Sequence, residues 1–275
     1  MSTEIVPPQR LEFPNAGTSL RRVIRSEWSK FWSVRSTFWT LLAAFIVTVG
    51  ASTLIAWGAS SSLDEMSPSD RATLDVTSTA LVGFAFGQLA FVVLGVLVIS
   101  SEYGTGGIKA TFTAVPARMK VLVAKGAVFS FVALVTGTIT AFAAFFCSMP
   151  FWKHYGLAAQ LGDPGVLRAV IGGGLLVAGS GMFGFALAAI LRHTAGAITT
   201  AVGLLFIAPI IVAPLLPGSW GDKFDTYFTV NAGHHITDVV MQPDQLAPWP
   251  GYLWFTLQWL VLLPIGAYLL NRRDA

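Results

Sequence analysis

The sequence predicts an all-α integral membrane protein: an N-terminal interfacial amphipathic helix, then six transmembrane helices, with both termini cytoplasmic. Three observations predict it. Six apolar runs reach the roughly 20 residues that cross a bilayer core at about 1.5 Å per residue. Charged residues make up 11% of the chain and apolar residues 54%, whereas a soluble domain carries roughly 25% charge. Lysine and arginine gather on one set of connecting segments, which is the mark of cytoplasmic loops.

Residues 1–36 read as a cytoplasmic tail and an interfacial helix. Met1 to Ala16 is polar and proline-bearing, without the apolar centre of a secretory signal. From Ser19 to Arg35, the residues Leu20, Val23, Ile24, Trp28, Phe31 and Trp32 recur at helical spacing. Arg21, Arg22, Arg25, Ser26, Ser29 and Lys30 fill the opposite side. Such a helix is expected to lie in the interface, with membrane lipids as its partners and its cations at anionic headgroups. Glu27 is the exception, an acid on the apolar side.

Residues 37–275 read as the transmembrane domain. Its spans are Thr37 to Gly58, Ala80 to Ser100, Val121 to Met149, Val166 to Leu191, Ala195 to Leu216 and Gly251 to Leu270. The third and fourth exceed the minimum length, so they tilt or project beyond the bilayer. An N-terminus on the inside puts thirteen of the seventeen cations on inner segments and nine of the fourteen acids on outer ones. The basic balance therefore reflects topology, and no nucleic-acid motif or compact basic face is present.

Glycines 172, 173, 174, 179, 181 and 184 give the fourth span a small-residue surface, and Gly83 and Gly87 form a GxxxG in the second. These surfaces serve either packing within the chain or a dimer face. Pro209, Pro214 and Pro264 are expected to kink the last two spans. The outer segment 217–250, rich in aromatics, reads as re-entrant-like, with short helices dipping into the interface. His234 and His235 are adjacent in it, so they would not point at one metal together. The lone Cys147 excludes an intrachain disulfide and reads as core or lipid-facing packing.

No charged residue or histidine lies deep in a span by these boundaries. This argues against a proton-coupled carrier and against a hydrolase working inside the bilayer. The uncharged polar residues Gln88, Thr136, Thr140, Thr199 and Gln258 are candidates for a substrate path or for bonds between helices. No catalytic residue, metal ligand or cofactor site is expected.

The segment Glu102 to Lys125, EYGTGGIKATFTAVPARMKVLVAK, is basic and punctuated by glycine. Its GTGGIK lacks the GxxxxGK[ST] spacing of a phosphate loop, so the chain is not expected to bind ATP. Ile108, Phe112 and Val115 fall at i, i+4 and i+7, making one apolar ridge with Lys109 and Thr113 beside it, and Pro116 should stop the helix. A ridge of this kind suits a groove on a partner, or rests on the bilayer surface.

Here the chain resembles the permeases of type-2 ATP-binding-cassette (ABC) exporters. The resemblance rests on Glu102 closing the second span, Gly104-Thr105, Pro116, Arg118 and Lys125, and on LRHTAGAI, residues 191–198, at the inner turn between the fourth and fifth spans. One departure is that Gly106 and Gly107, not an arginine, follow Thr105 before Lys109. The resemblance implies a multi-pass subunit of a bacterial plasma membrane, not itself an enzyme, paired with a second copy or a paralogue. Cytoplasmic ABC ATPase subunits would carry the ATP and magnesium. It further implies that loop 101–120 is the coupling loop, with Glu102, Gly104, Thr105, Ile108, Lys109, Phe112, Val115, Pro116, Arg118 and Lys125 at the ATPase interface. Arg192, His193 and Thr194 would form the second inner loop. Uncharged, glycine-rich spans suit a lipophilic or amphipathic substrate. The rival readings are a membrane anchoring or assembly protein docking a non-ATPase partner, a secondary carrier, and a membrane enzyme.

Overall fold

A computed structural model describes residues 19–115, 117–241 and 245–272, and every regular element among them is helical. Six segments are long and apolar enough to cross a membrane: Arg35–Glu65, Phe84–Gly104, Arg118–His154, Val166–Leu191, Thr194–Leu215 and Pro248–Leu270. The chain therefore has the architecture of a multi-pass membrane protein.

Helix α1 (Leu20–Ser33) precedes α2 (Arg35–Ser61). Two short helices follow, α3 (Pro68–Ala72), capped by the Ser67 hydroxyl, and α4 (Val76–Leu81), capped by the Asp75 carboxylate. The second long helix, α5 (Phe84–Gly104), starts later than hydropathy alone indicates. The break falls beside Gly83, whose bare Cα lies against the Thr48 carbonyl and Ser52 of α2. After α6 (Gly107–Ala114) comes α7 (Arg118–His154), whose 37 residues span about 55 Å, well beyond a hydrocarbon core of roughly 30 Å.

Helix α8 (Val166–Leu191) is the centre of the bundle. Of its apolar stretch, 83% is buried within the chain, against 17% for the fifth span, so its small-residue surface is spent on internal packing. Gly181 of α8 meets Gly95 of α5, and Gly184 meets the Val92 carbonyl; a Cβ on Gly95 or Gly184 would collide with backbone. On the α7 side, Gly174 abuts Thr138 and Gly137 abuts Val177. Gly83 and Gly87 likewise pack on Thr48 and Ser52 of α2.

The fifth span combines α9 (Thr194–Val202), a π-helical turn (Gly203–Ile207) and α10 (Ala208–Leu215). The wide turn comes just before Pro209, which has no N–H to give the carbonyl one turn back, so the backbone adjusts there. Helices α11 (Ser219–Tyr227) and α12 (Thr229–His234) lead to α13 (Pro248–Arg272), which runs on through Pro264. Gln258 of α13 ties α12 down, accepting from the Thr229 N–H and donating to the Tyr227 carbonyl. Cys147 is exposed on α7.

One end of the bundle is clamped by two charges. Asp75 accepts from the backbone N–H groups of Val239 (2.6 Å) and Val240 (2.8 Å), and Arg168 donates to the carbonyls of Ile236 and Asp238. His235 Nδ1 lies 2.9 Å from Asp238 Oδ2. Burial pushes the His234 imidazole below its ordinary 6.5, opposed by Asp238 and helped by His235.

Two outcomes follow from these contacts. Gly184→Leu should cost at least the roughly 1–3 kcal/mol of an overpacked core, because the obstructing atom is backbone. Gly50→Leu, where nothing lies within 4 Å, should change stability by less than about 0.5 kcal/mol; unfolding in bicelles measures both. Neutral His234 leaves the folded state with fewer protons than the unfolded one at acid pH. Its contribution is therefore fully present above about pH 6.5 and falls as pH drops below it. Melting temperatures should decline on acidification, and His234→Gln should flatten that decline.

Candidate functional site

The other end of the bundle brings together α1, α6, the end of α5, the start of α7, the turn between α8 and α9, and the end of α13. The candidate site is built there from four charges of alternating sign. Lys125 Nζ lies 2.7 Å from Glu27 Oε2 and 2.6 Å from Glu102 Oε1. Lys30 Nζ lies 2.9 Å from Glu27 Oε1 and 3.2 Å from Glu102 Oε1. The Thr111 hydroxyl of α6 accepts from Lys30 and donates to Glu102 Oε2. Five residues thus tie α1, α5, α6 and α7 together.

Burial makes the arrangement obligatory. The Glu27 and Lys125 side chains are only 5% and 6% exposed, and an unpaired charge removed from water to that degree costs several kcal/mol. Two lysines against two glutamates leave no net charge to desolvate. Burial alone would lower the ammonium pKa of Lys30, but its hydrogen bonds and attractions to Glu27 and Glu102 outweigh this and hold it above the usual lysine value. It stays charged throughout the physiological range.

Glu27 is thereby accounted for. The buried face of α1 is Val23, Glu27 and Phe31, while Leu20, Trp28 and Trp32 are more than a third exposed. Val23 clusters with Val121 and Ala124, Glu27 pairs with Lys125, and Trp28 meets Phe131. This register runs α1 alongside the first turns of α7. The acid on the apolar side is the residue that fixes the register.

The apolar ridge of α6 also turns inward. Ile108 is buried, and with Phe112 it borders a small space shared with Ile99, Tyr103, Val121 and Leu270. Val115 packs on the Val23, Val121 and Ala124 cluster. The ridge that the sequence offers to a partner or to the bilayer is therefore used inside the chain. Gly106, at φ +70°, lets the chain leave α5 and enter α6 without strain. The outward face of α6 is Ala110, Thr113 and Ala114, next to exposed Gly104, Thr105 and Gly106. Pro116 and the side chain of Lys109 lie outside the described residues, as do the tail before Ser19 and Arg273.

The remaining predicted inner residues converge on the same end. Arg118 donates to the Leu270 carbonyl at 2.7 Å and sits over the Phe112 ring; Arg192 donates to the Leu269 carbonyl at 2.8 Å and sits over the Tyr103 ring. The two arginines supply donors to the last carbonyls of α13. Arg192 itself ends α8 in the left-handed region, at φ 55°. His193 caps α9 by accepting from the Gly196 N–H, ahead of Thr194, its first residue. Sequence reasoning missed Lys30, Thr111 and Tyr103 as members; the one local signal was Glu27, an acid that needed a partner.

The residues proposed for a path have these partners in the structure. The hydroxyls of Thr136, Thr140 and Thr199 bond to carbonyls of their own helices, and Gln258 holds α12. Gln88 is fully buried beside a cavity of about 240 Å³ bordered by Leu205, Phe206, Asp225 and His234. A second cavity, of about 440 Å³, is lined by the four charges together with Phe31, Leu94, Val98 and Val128 and the hydroxyl residues Ser36, Thr37 and Thr40.

Fold and site together define a multi-pass helical bundle with a charged joint at one end. No protein-family model matches the chain, and no curated protein matches it either.

The network carries a direct test. Lys125→Met leaves Glu27 and Glu102 with Lys30 alone, and should cost about 3–5 kcal/mol, as for a broken buried pair. The double change Glu27→Gln with Lys125→Met should recover part of that loss, giving a coupling of at least about 0.5 kcal/mol in a double-mutant cycle. Additive costs would mean that the two side chains do not act together.

Proposed function

We propose that the chain is the permease subunit of an ABC exporter. It moves a lipophilic or amphipathic substrate across the plasma membrane with energy from separate ATPase subunits. The observation that carries this reading is α6, a short helix whose apolar side and Thr111 are bound into α1, α5 and α7 while its small-residue side stays exposed. A helix so anchored passes a displacement to the spans instead of absorbing it. In this reading the four-charge end is cytoplasmic, and ATP and magnesium sit on the partner. A second permease subunit completes the translocation path. The 440 Å³ cavity, lined by both charged and apolar side chains, suits an amphipathic molecule entering from the inner leaflet.

The docking surface in this reading is Ala110, Thr113 and Ala114, not the Ile108 and Phe112 ridge. A change at Phe112 would disturb the packing under Arg118 and could not separate docking from folding. The same face would serve a membrane anchor docking a partner that is not an ATPase.

Affinity purification from native membranes tests the assignment. The expected result is a soluble partner that hydrolyses ATP, with Ala110→Arg reducing its recovery at least about tenfold, a loss of roughly 1.4 kcal/mol in binding, while the chain remains inserted. A partner retained by Ala110→Arg would overturn the docking face. A partner without ATPase activity would replace the exporter reading with the anchor.

A further inference from the structure

We propose that the groove between α7, α8 and α13 is a binding site for one anionic phospholipid, a site that goes beyond the exporter reading and stands without it. The groove holds about 810 Å³ and is lined by Val123 and Gly126 of α7, Phe185 of α8, and Leu263, Pro264 and Tyr268 of α13, among others. That volume lies within the roughly 300–1,000 Å³ of ligand pockets. All three flanking helices are long and apolar enough to lie in a membrane, so the medium that meets the groove is acyl chain.

Charge at one mouth selects the kind of lipid. The lining face of α13 runs through Leu260, Leu263, Pro264, Ala267 and Tyr268, and one turn further on the same face stands Arg272. Its guanidinium lies 4.8 Å from the centre of the Tyr268 ring, and Tyr268 is itself a wall of the groove. On α7 the lining face begins at Met119 and Val123, with exposed Lys120 on its flank. Arg118, bonded to the Leu270 carbonyl, joins the two helices at this level. No acidic side chain lines the groove among the described residues. An apolar trough with Arg272 at its mouth matches two acyl chains below a phosphate.

Gly126 keeps the groove open. A Cβ there would reach only ordinary contact with Phe185, at 3.5 Å, so a longer side chain projects into the space. Val123 is half exposed, so a phenylalanine there obstructs the groove without entering the core.

The test uses the full-length chain in bilayer nanodiscs of phosphatidylcholine with a minor share of phosphatidylglycerol, followed by native mass spectrometry of the lipid retained. The unaltered chain should retain phosphatidylglycerol over phosphatidylcholine by more than its share in the disc, with each cation worth roughly fivefold. Arg272→Gln should lower that preference about fivefold, while Val123→Phe and Gly126→Leu should lose retention of both lipids. Val123→Phe decides the matter if Gly126→Leu fails to fold. Equal retention of the two lipids by the unaltered chain overturns the site. So does a preference that survives both Arg272→Gln and Val123→Phe, or cross-linking that shows a second copy of the chain covering the groove.

Discussion

The pairing of Lys125 with Glu27 and Glu102 is the interaction on which this architecture rests. It joins a helix that precedes the first span to the end of the second and the start of the third. Apolar contacts alone permit α1 to slide along α7, because neighbouring apolar residues on a helix surface are nearly equivalent. A carboxylate and an ammonium less than a tenth exposed are not equivalent to anything one turn away. The great length of α7 suits this, since about 55 Å of helix lets the first turns stand beyond a hydrocarbon core of roughly 30 Å. Glu27 and Lys125 are enclosed by protein while Lys30 stays partly exposed.

A different constraint governs the bundle beyond that joint. Between helices in lipid the hydrophobic effect supplies little, because acyl chains solvate apolar side chains as well as other helices do. Association then depends on how closely backbones approach. Helix α8 solves this with glycine on more than one side: Gly181 and Gly184 against α5, and Gly174 against α7. The same surface could have been a dimer face had α8 lain at the edge of the bundle. Its enclosure by α5, α7 and α13 removes that option, so any partner subunit must meet the less buried helices.

The spans were legible in the sequence because hydropathy is a local property, summed over some twenty residues wherever they end up. Boundaries were less so: α5 starts at Phe84 and not near Ala80, because the break at Gly83 depends on α2 lying against it. The site was half legible. Glu102, Arg118, Lys125 and Arg192 could be placed at one end by span counting, and Glu27 was conspicuous as an acid on an apolar face. What periodicity could not supply was partners. It gives the face of a helix but not what that face meets, and so the ridge of Ile108, Phe112 and Val115 reads equally as a key for another protein and as a wedge into its own bundle.

That ambiguity has a physical resolution in the length of α6. Eight residues cannot sustain a helix alone, so α6 must spend its apolar side on holding its place against α1, α5 and α7. Among the described side chains, the exposed face of α6 is alanine and threonine. Contact with such a surface gains little from any one residue and depends on the helix being rigidly presented. The rigidity comes from Thr111 and the charges behind it: the buried ion network gives α6 its position.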